Sequence, residues 1–387
     1  MKKIKRVSSL VGNGYDTIII GAGLAGATCA HLDAMKGKRV LLVDRRSHIA
    51  GNIYTKKQDD IHVHKYGAHL FHTNELTVWE FLNQFCTFSG YEHKVMAATG
   101  KETVVLPFTM VTFMQLFNVQ TVIAVKAKIL EETTAYFPDG IPENPANFEL
   151  QAIAIVGTTV YEKLIKHYTE KQWGCKATDL PPEIIKRLPL RWNCDTTYFN
   201  NAKWQGIPLQ GYTEMVDNML MSNNIDVLLD CDFLKNKDEI LTCGLPDYSF
   251  IYTGAIDELF DYEFGHLEYR TVRFVDKLLP IDNFQGTSVV NFTGPEKPYT
   301  RTIEHKHFDP NCTAKNTIVS TEYAEDFVPG KNEPYYPIGR QRNKELWKKY
   351  ETLFNSKYQK GILLGRLATY QYLDMDKVVK QALDLRS

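Results

Sequence analysis

Tyr15-Asp-Thr-Ile-Ile-Ile-Gly-Ala-Gly-Leu-Ala-Gly26 sets a short β-branched run directly against a G-x-G-x-x-G turn. Such a run reads as a strand buried in a parallel sheet. Ala27–Met35 has helical character with Gly37 as its stop, and Arg39-Val-Leu-Leu-Val43 is a second buried strand ending at Asp44. Strand, glycine triplet, helix, strand and acid in register predict a βαβ unit that holds a dinucleotide. Gly21 permits the tight turn, Ala22 and Gly23 bring backbone up to a pyrophosphate, and Gly26 lets the helix pack on the strands. Asp44 is spaced to accept hydrogen bonds from a ribose. Arg45, Arg46 and the Gly51-Asn52 pair extend the pattern toward FAD rather than NAD.

Outward from this unit, 387 residues suffice for two to three domains. Lys plus Arg (45) balance Asp plus Glu (46), which argues against nucleic acid as a partner. No stretch approaches the roughly 20 apolar residues of a membrane span. Seven cysteines without a CxxC pair point to a reducing, cytoplasmic compartment and to no zinc site. Residues 1–14, basic at Lys2, Lys3, Lys5 and Arg6, read as a mobile tail. His62, His64, His69 and His72 crowd one segment, but no neighbouring carboxylate completes a metal site, and none is expected.

The expected fold class is α/β. A discontinuous Rossmann-like FAD-binding domain takes residues 15–85, 205–265 and 340–387. A helical insertion takes 107–190, with Thr109 as a candidate N-cap. Pro181, Pro182 and Pro189 bracket a short helix there, predicting a mobile lid around 179–191. An antiparallel sheet domain of four or more strands takes 86–106, 191–204 and 266–339, and a terminal helix begins near Asp374.

Further blocks carry a specific resemblance. Tyr66-Gly-Ala-His-Leu-Phe-His-Thr73, Tyr168-Thr-Glu-Lys-Gln-Trp-Gly174, Pro298-Tyr-Thr-Arg-Thr-Ile-Glu-His-Lys-His-Phe308, Glu333-Pro-Tyr-Tyr-Pro337 and Gly365-Arg-Leu-Ala-Thr-Tyr-Gln-Tyr-Leu-Asp-Met375 join the glycine turn. Together they resemble bacterial-type UDP-galactopyranose mutase along nearly everything after residue 14. The resemblance implies an FAD-dependent isomerase that converts UDP-galactopyranose to UDP-galactofuranose without net redox change. In that family the reduced flavin N5 attacks the sugar's anomeric carbon, a case of covalent catalysis by a cofactor. It further implies a homodimer, an external reductant such as an NAD(P)H system, and a product destined for galactofuranose-containing glycans.

The site residues follow from the same resemblance. Arg187 on the lid and Arg301 on the sheet are similar to the family's diphosphate-binding arginines, with His72 beside the flavin as a third catalytic position. Tyr198, Tyr336 and Tyr372 look like diphosphate-binding tyrosines. Tyr168 resembles the ring stacked on uracil, with Thr169 next to it, and Trp173 an aromatic beside the sugar. Arg270 is similar to a further pocket arginine and Asn291 to a polar wall. His69, Gly365, Arg366, Asp374 and Met375 are expected around the flavin. From spacing alone, Arg301 also reads as a cross-strand ion pair to Glu304 or its neighbours, and Arg187 as a solvated helix residue. Leu164 and Ile165 depart from the family, whose aromatic residues there help to hold uracil. Ala68, near the sugar's 2-position, favours plain UDP-galactose over its 2-acetamido analogue. The rival readings are a net oxidoreductase on the same scaffold, such as an amine oxidase, and an inactive nucleotide-sugar binder.

Overall fold

The computed structural model describes residues 2–4, 14–187 and 190–386, with side chains over 14–185 and 190–386. One sheet has six parallel strands in the order Lys2–Ile4, Ile225–Leu228, Val40–Val43, Tyr15–Ile20, Gly244–Tyr252 and Gly361–Leu363. Alternation along these strands separates two hydrophobic cores. Ile19, Leu42 and Ile251 face one, closed by helices Leu24–Met35 and Met375–Arg386. Ile18, Leu41 and Phe250 face the other, closed by Leu346, Tyr350 and Phe354 of helix Gln341–Lys357. Burial on both faces is what selects continuous β-branched runs.

Residues 2–4 correct the expected tail. They pair in parallel register with Asp226–Leu228, satisfying an edge strand that would otherwise offer open backbone groups.

The second sheet has seven strands, in the order Tyr336–Pro337, Tyr269–Leu279, Thr317–Asp326, Arg301–Glu304, Val289–Phe292, Val95–Thr99 and Glu102–Leu106. It was expected to be antiparallel, but Val289–Phe292 and Val95–Thr99 run parallel, so the sheet is mixed. Those two strands come from distant segments, and no hairpin dictates their direction. Segment 191–204 also departs from its expected place in this sheet. Trp204 opens the strand Trp204–Gly206, which pairs with Phe71–Thr73 in a separate ribbon.

The expected helical block packs on the second sheet. Thr109 is the N-cap of helix Met110–Phe117, and its amide donates to Thr112 Oγ1 at 3.2 Å. Helices Val122–Tyr136 and Phe148–Val160 follow, the second broken at Gly157. Glu132 accepts the Thr159 amide across that break at 2.9 Å. A π-helical turn, Tyr161–Lys166, then leads into helix His167–Trp173 and sets the face it presents to the second sheet. Pro182–Arg187 is a short 3₁₀ helix, as the prolines predict, while Leu188 and Pro189 lie outside the described residues. Among the described residues no single helix is long and apolar enough to cross a membrane. Met110–Phe117 and Val122–Tyr136 would pass only as a pair, and they meet at a 63° bend.

Candidate active site

The glycine turn opens a cleft at the carboxyl ends of the first two strands. Gly21, Gly23, Asp44, Arg45, Gly51 and Asn52 line one end, and His69, Gly365, Arg366 and Met375 the other. Gly21 has φ +106°, and a Cβ there would stand 2.0 Å from Thr253 Oγ1. A Cβ on Gly26 would stand 2.0 Å from the Gly21 carbonyl oxygen, so the helix comes this close to the strand only with glycine. Asp44 accepts the Ala22 and Arg46 amides at 2.7 and 2.8 Å and keeps further lone pairs for a ribose. These features fit FAD: bare backbone for its pyrophosphate, an acid for its adenosine, and a long cleft running toward His69.

An inner cavity adjoins this cleft, and His69, Arg366 and Met375 border both. Asp374, expected at the cofactor, lines the inner cavity, as does His72. An outer cavity follows, walled by Leu106, Phe108, Leu164, Ile165, Thr169 and Gln172 among others. Tyr168, Tyr198, Asn291, Arg301, Tyr336 and Tyr372 border both the inner and the outer cavity. The sequence-predicted tyrosines thus converge from the helical block, the 191–204 segment, the second sheet and the C-terminal segment.

Arg301 is held by Glu322 through Nε at 2.7 Å and Nη2 at 2.6 Å. The cross-strand ion pair expected from spacing is therefore present, with Glu322 rather than Glu304 as its partner, and Arg301 still borders both cavities. Burial opposes the guanidinium charge, yet Glu322 raises its pKa further above the ordinary value. Burial pushes the Tyr168 and Tyr336 phenols upward, which keeps them neutral donors. Burial lowers His69 to about 4, and its Nδ1 lies 2.8 Å from the Gly67 carbonyl oxygen. His72 is also lowered by burial and stacks on Phe199 at 3.9 Å. The Arg366 guanidinium lies 4.8 Å from the Tyr372 ring centre and 5.4 Å from that of Tyr336. Asn291 borders both cavities, and its Oδ1 is buried with no protein hydrogen bond.

Two expected site residues, Trp173 and Arg270, stand differently. Trp173 packs against the main hydrophobic core, away from both cavities, because five helical residues after Tyr168 amount to about 140° of rotation. Arg270 borders the outer cavity but spends its donors elsewhere. Its Nε reaches the Gln172 carbonyl at 2.9 Å, its Nη2 reaches Lys171 O, and its Nη1 pairs with Asp326. It closes the C-terminus of helix His167–Trp173, where carbonyls lack partners. Arg45 pairs with Glu258 and Glu333 at the cleft rim. The backbone of Arg187 ends the 3₁₀ helix, while its side chain lies outside the described residues. Sequence reasoning missed Glu322, which sits in no quoted motif, and gave no role to Lys171 and Gln172 although they lie within the Tyr168–Gly174 block.

Comparisons with known proteins agree with this geometry. A family model described as UDP-galactopyranose mutase matches residues 163–372, and one described as an NAD(P)-binding Rossmann-like domain matches 19–85. A probable UDP-galactopyranose mutase of Klebsiella pneumoniae is 38% identical over 376 residues, covering 96% of this chain and 94% of its own. A dTDP-fucopyranose mutase of Escherichia coli is 36% identical over 371 residues, covering 95% and 96%. A crystal structure of reduced UDP-galactopyranose mutase superposes with a TM-score of 0.77 at 13% identity, over 96% of this chain and 93% of that one. With a family model over more than half its length and such relatives along nearly all of it, the chain belongs to the UDP-galactopyranose mutase family.

Proposed function

We propose that this chain is an FAD-dependent isomerase that interconverts UDP-galactopyranose and UDP-galactofuranose without net redox change. The observation that carries the reading is the shared wall between the three spaces. His69, Arg366 and Met375 join the cofactor cleft to the inner cavity, and six residues including Arg301 join that cavity to the outer one. A flavin, a sugar and a nucleotide diphosphate fit there in that order. Reduced FAD, when bound, would supply an electron-rich N5 as nucleophile toward the anomeric carbon.

The protein's own groups do the rest. Arg301, joined by Arg187 from the lid, steadies the diphosphate as negative charge grows on it. Tyr198, Tyr336 and Tyr372 donate hydroxyls to its oxygens, and the Tyr168 ring lies against the base beside Thr169. Asn291 forms a polar part of the wall beside the sugar. His72, stacked on Phe199, orients the flavin side of the cavity and keeps water from it. Arg270 contributes by positioning the helix that carries Tyr168. The 179–191 lid closes over the nucleotide, so bound UDP should slow proteolysis within it; equal cleavage rates with and without UDP would refute closure.

Product analysis tests the whole reading. Purified protein should bind FAD and form UDP-galactofuranose only after dithionite reduction. Oxygen consumption with net substrate oxidation would instead establish an oxidoreductase. A second substrate, a dTDP-linked 6-deoxy sugar, is favoured by one feature. Leu106, Phe108, Leu164 and Ile165 give the outer cavity an apolar wall that suits a thymine methyl. Assaying both nucleotide sugars in parallel decides between them. The proposal also includes a homodimer, an external reductant such as an NAD(P)H system, use of the product in galactofuranose glycans, and a cytoplasmic setting. Seven free cysteines support that setting.

A further inference from the structure

One ring in the inner cavity has no part in the roles above. His93 lies two residues before strand Val95–Thr99, is 5% exposed, and lines the inner cavity without bordering the cofactor cleft or the outer cavity. Its position is fixed on three sides. Nδ1 lies 3.0 Å from the Tyr91 hydroxyl, which in turn hydrogen-bonds Ser288 Oγ. Phe199 stacks on the ring at 5.9 Å, and Tyr198 meets it edge-on at 5.3 Å. The Tyr198 amide donates to the His93 carbonyl at 3.0 Å, tying the backbone as well. Nε2, the far end of the ring, meets no protein partner among the described residues.

Burial, with Arg301 and His72 nearby, lowers the ring's pKa to about 3, so it is neutral at working pH. A neutral imidazole offers one N–H and one lone pair, and a nitrogen left without a partner when ligand excludes water is costly. The occupant of the inner cavity lies between flavin and diphosphate, and in a nucleotide sugar that is the sugar.

We propose that His93 Nε2 hydrogen-bonds a hydroxyl of the substrate's sugar and sets the ring's orientation over the flavin, with Tyr91 and Ser288 as the positioning pair behind it. A hydroxyl both donates and accepts, so it satisfies either imidazole tautomer. The Tyr91 and Ser288 hydroxyls turn to match whichever tautomer is present. This assignment rests on the nucleotide-sugar reading of the site.

The test separates sugar from nucleotide. UDP-galactose and UDP are titrated by calorimetry into reduced, FAD-loaded wild-type protein and the His93→Phe variant, which keeps the stacking on Phe199. UDP-galactose affinity should fall by about tenfold or more while UDP affinity changes less than about twofold, with FAD content unchanged. His93→Gln, which restores an amide donor, should recover part of the loss. UDP-galactose analogues lacking one sugar hydroxyl then identify the partner: one of them should bind weakly to wild type yet as well as the parent to His93→Phe. Equal losses for UDP and UDP-galactose, no loss at all, or analogue penalties unchanged between the two proteins would each overturn the role. If His93→Phe does not fold, Tyr91→Phe should show the same sugar-selective loss in smaller degree, and a loss shared with UDP overturns the proposal. Wild-type protein that binds neither UDP nor UDP-galactose rejects the nucleotide-sugar reading itself, and the role of His93 with it.

Discussion

Arg301 and Glu322 face each other across neighbouring antiparallel strands, and one carboxylate oxygen, Oε2, takes both the Nε and the Nη2 of the arginine. The Thr300 hydroxyl donates to the other oxygen at 2.9 Å, so the carboxylate is fixed from its own side. Glu322 is 5% exposed, which means that the pair is preorganised before any ligand arrives. Preorganised charge costs no rearrangement when negative charge develops on a departing diphosphate. Arg301→Ala should therefore keep FAD yet lose turnover worth about 4 kcal/mol or more. Near-normal activity in that variant would remove Arg301 from the chemistry.

Glu322→Gln separates position from charge. The amide keeps an acceptor for Arg301 but gives up the charge that fixes it, so kcat should drop by about 10- to 100-fold, with FAD content retained. Equal rates for Glu322→Gln and wild type would show that Arg301 needs no fixed partner.

Gly26→Ala addresses the cofactor cleft. The added methyl meets the Gly21 carbonyl at 2.0 Å, and backbone there cannot yield without moving the turn. The variant should purify with little or no FAD, read from its absorbance at the flavin bands, while Gly37→Ala, whose Cβ meets nothing within 4 Å, should keep the cofactor. Yellow Gly26→Ala protein would contradict the role given to the turn.

The parts of the fold that were legible are those with a short-range physical signature. The β-branched run at Tyr15–Ile20 and the triplet read correctly as strand and tight turn because turn geometry and burial are local requirements. Pro182 likewise opens a short helix where the bracketing prolines placed one. What escaped was set by long-range pairing. No pattern within Val95–Thr99 announces a parallel partner in Val289–Phe292, and nothing in Lys2–Ile4 announces a sheet edge at Asp226. In the site, Tyr168 and Arg301 were found through family motifs. Trp173 was misplaced because membership of a motif does not say which helical face a residue takes. Arg270 was credited with a ligand contact because its helix-closing contacts come from Lys171 and Gln172, about a hundred residues earlier in the chain.

Lys171 joins the two walls of the outer cavity. Its ammonium donates to the carbonyls of Phe292 at 2.6 Å and Gly294 at 2.9 Å, with Lys297 and Tyr299 at 3.2 Å. The helix that carries Tyr168 is thereby fastened to the turn that precedes Arg301. Lys171→Met fills the space but leaves those carbonyls without their donor, a loss of about 1–3 kcal/mol. It should lower the melting temperature and raise KM for the nucleotide sugar. Lys171→Arg, which keeps the charge and several donors, should recover part of both. A melting temperature and KM that match wild type would show that the two walls are fastened elsewhere.

Buried histidines give the fold a defined acid sensitivity. Burial lowers His69 and His305 to about 4 and His93 to about 3, and it takes His64 well below its ordinary value. The unfolded chain titrates these rings near 6.5, so it binds protons that the folded state refuses. Their contribution is complete above about pH 6.5 and is lost as pH falls toward about 4, at up to roughly 1.4 kcal/mol per pH unit for each ring. Glu304 acts in a lower window. Despite burial, hydrogen bonds from His307, the Phe284 and Gln285 amides and Thr317 hold it at about 2, so its contribution is lost only as pH falls from the ordinary carboxylate range toward 2. Urea midpoints should therefore decline already between pH 6.5 and pH 5, offset only in part by Asp257, which burial raises to about 6 so that the folded state takes up a proton there. His305→Asn, which removes the ring bonded to Ser320 Oγ at 2.6 Å, should be less stable at pH 7.5 and show a shallower decline. A midpoint that stays flat down to pH 5 would mean that these rings take up protons without opening the fold.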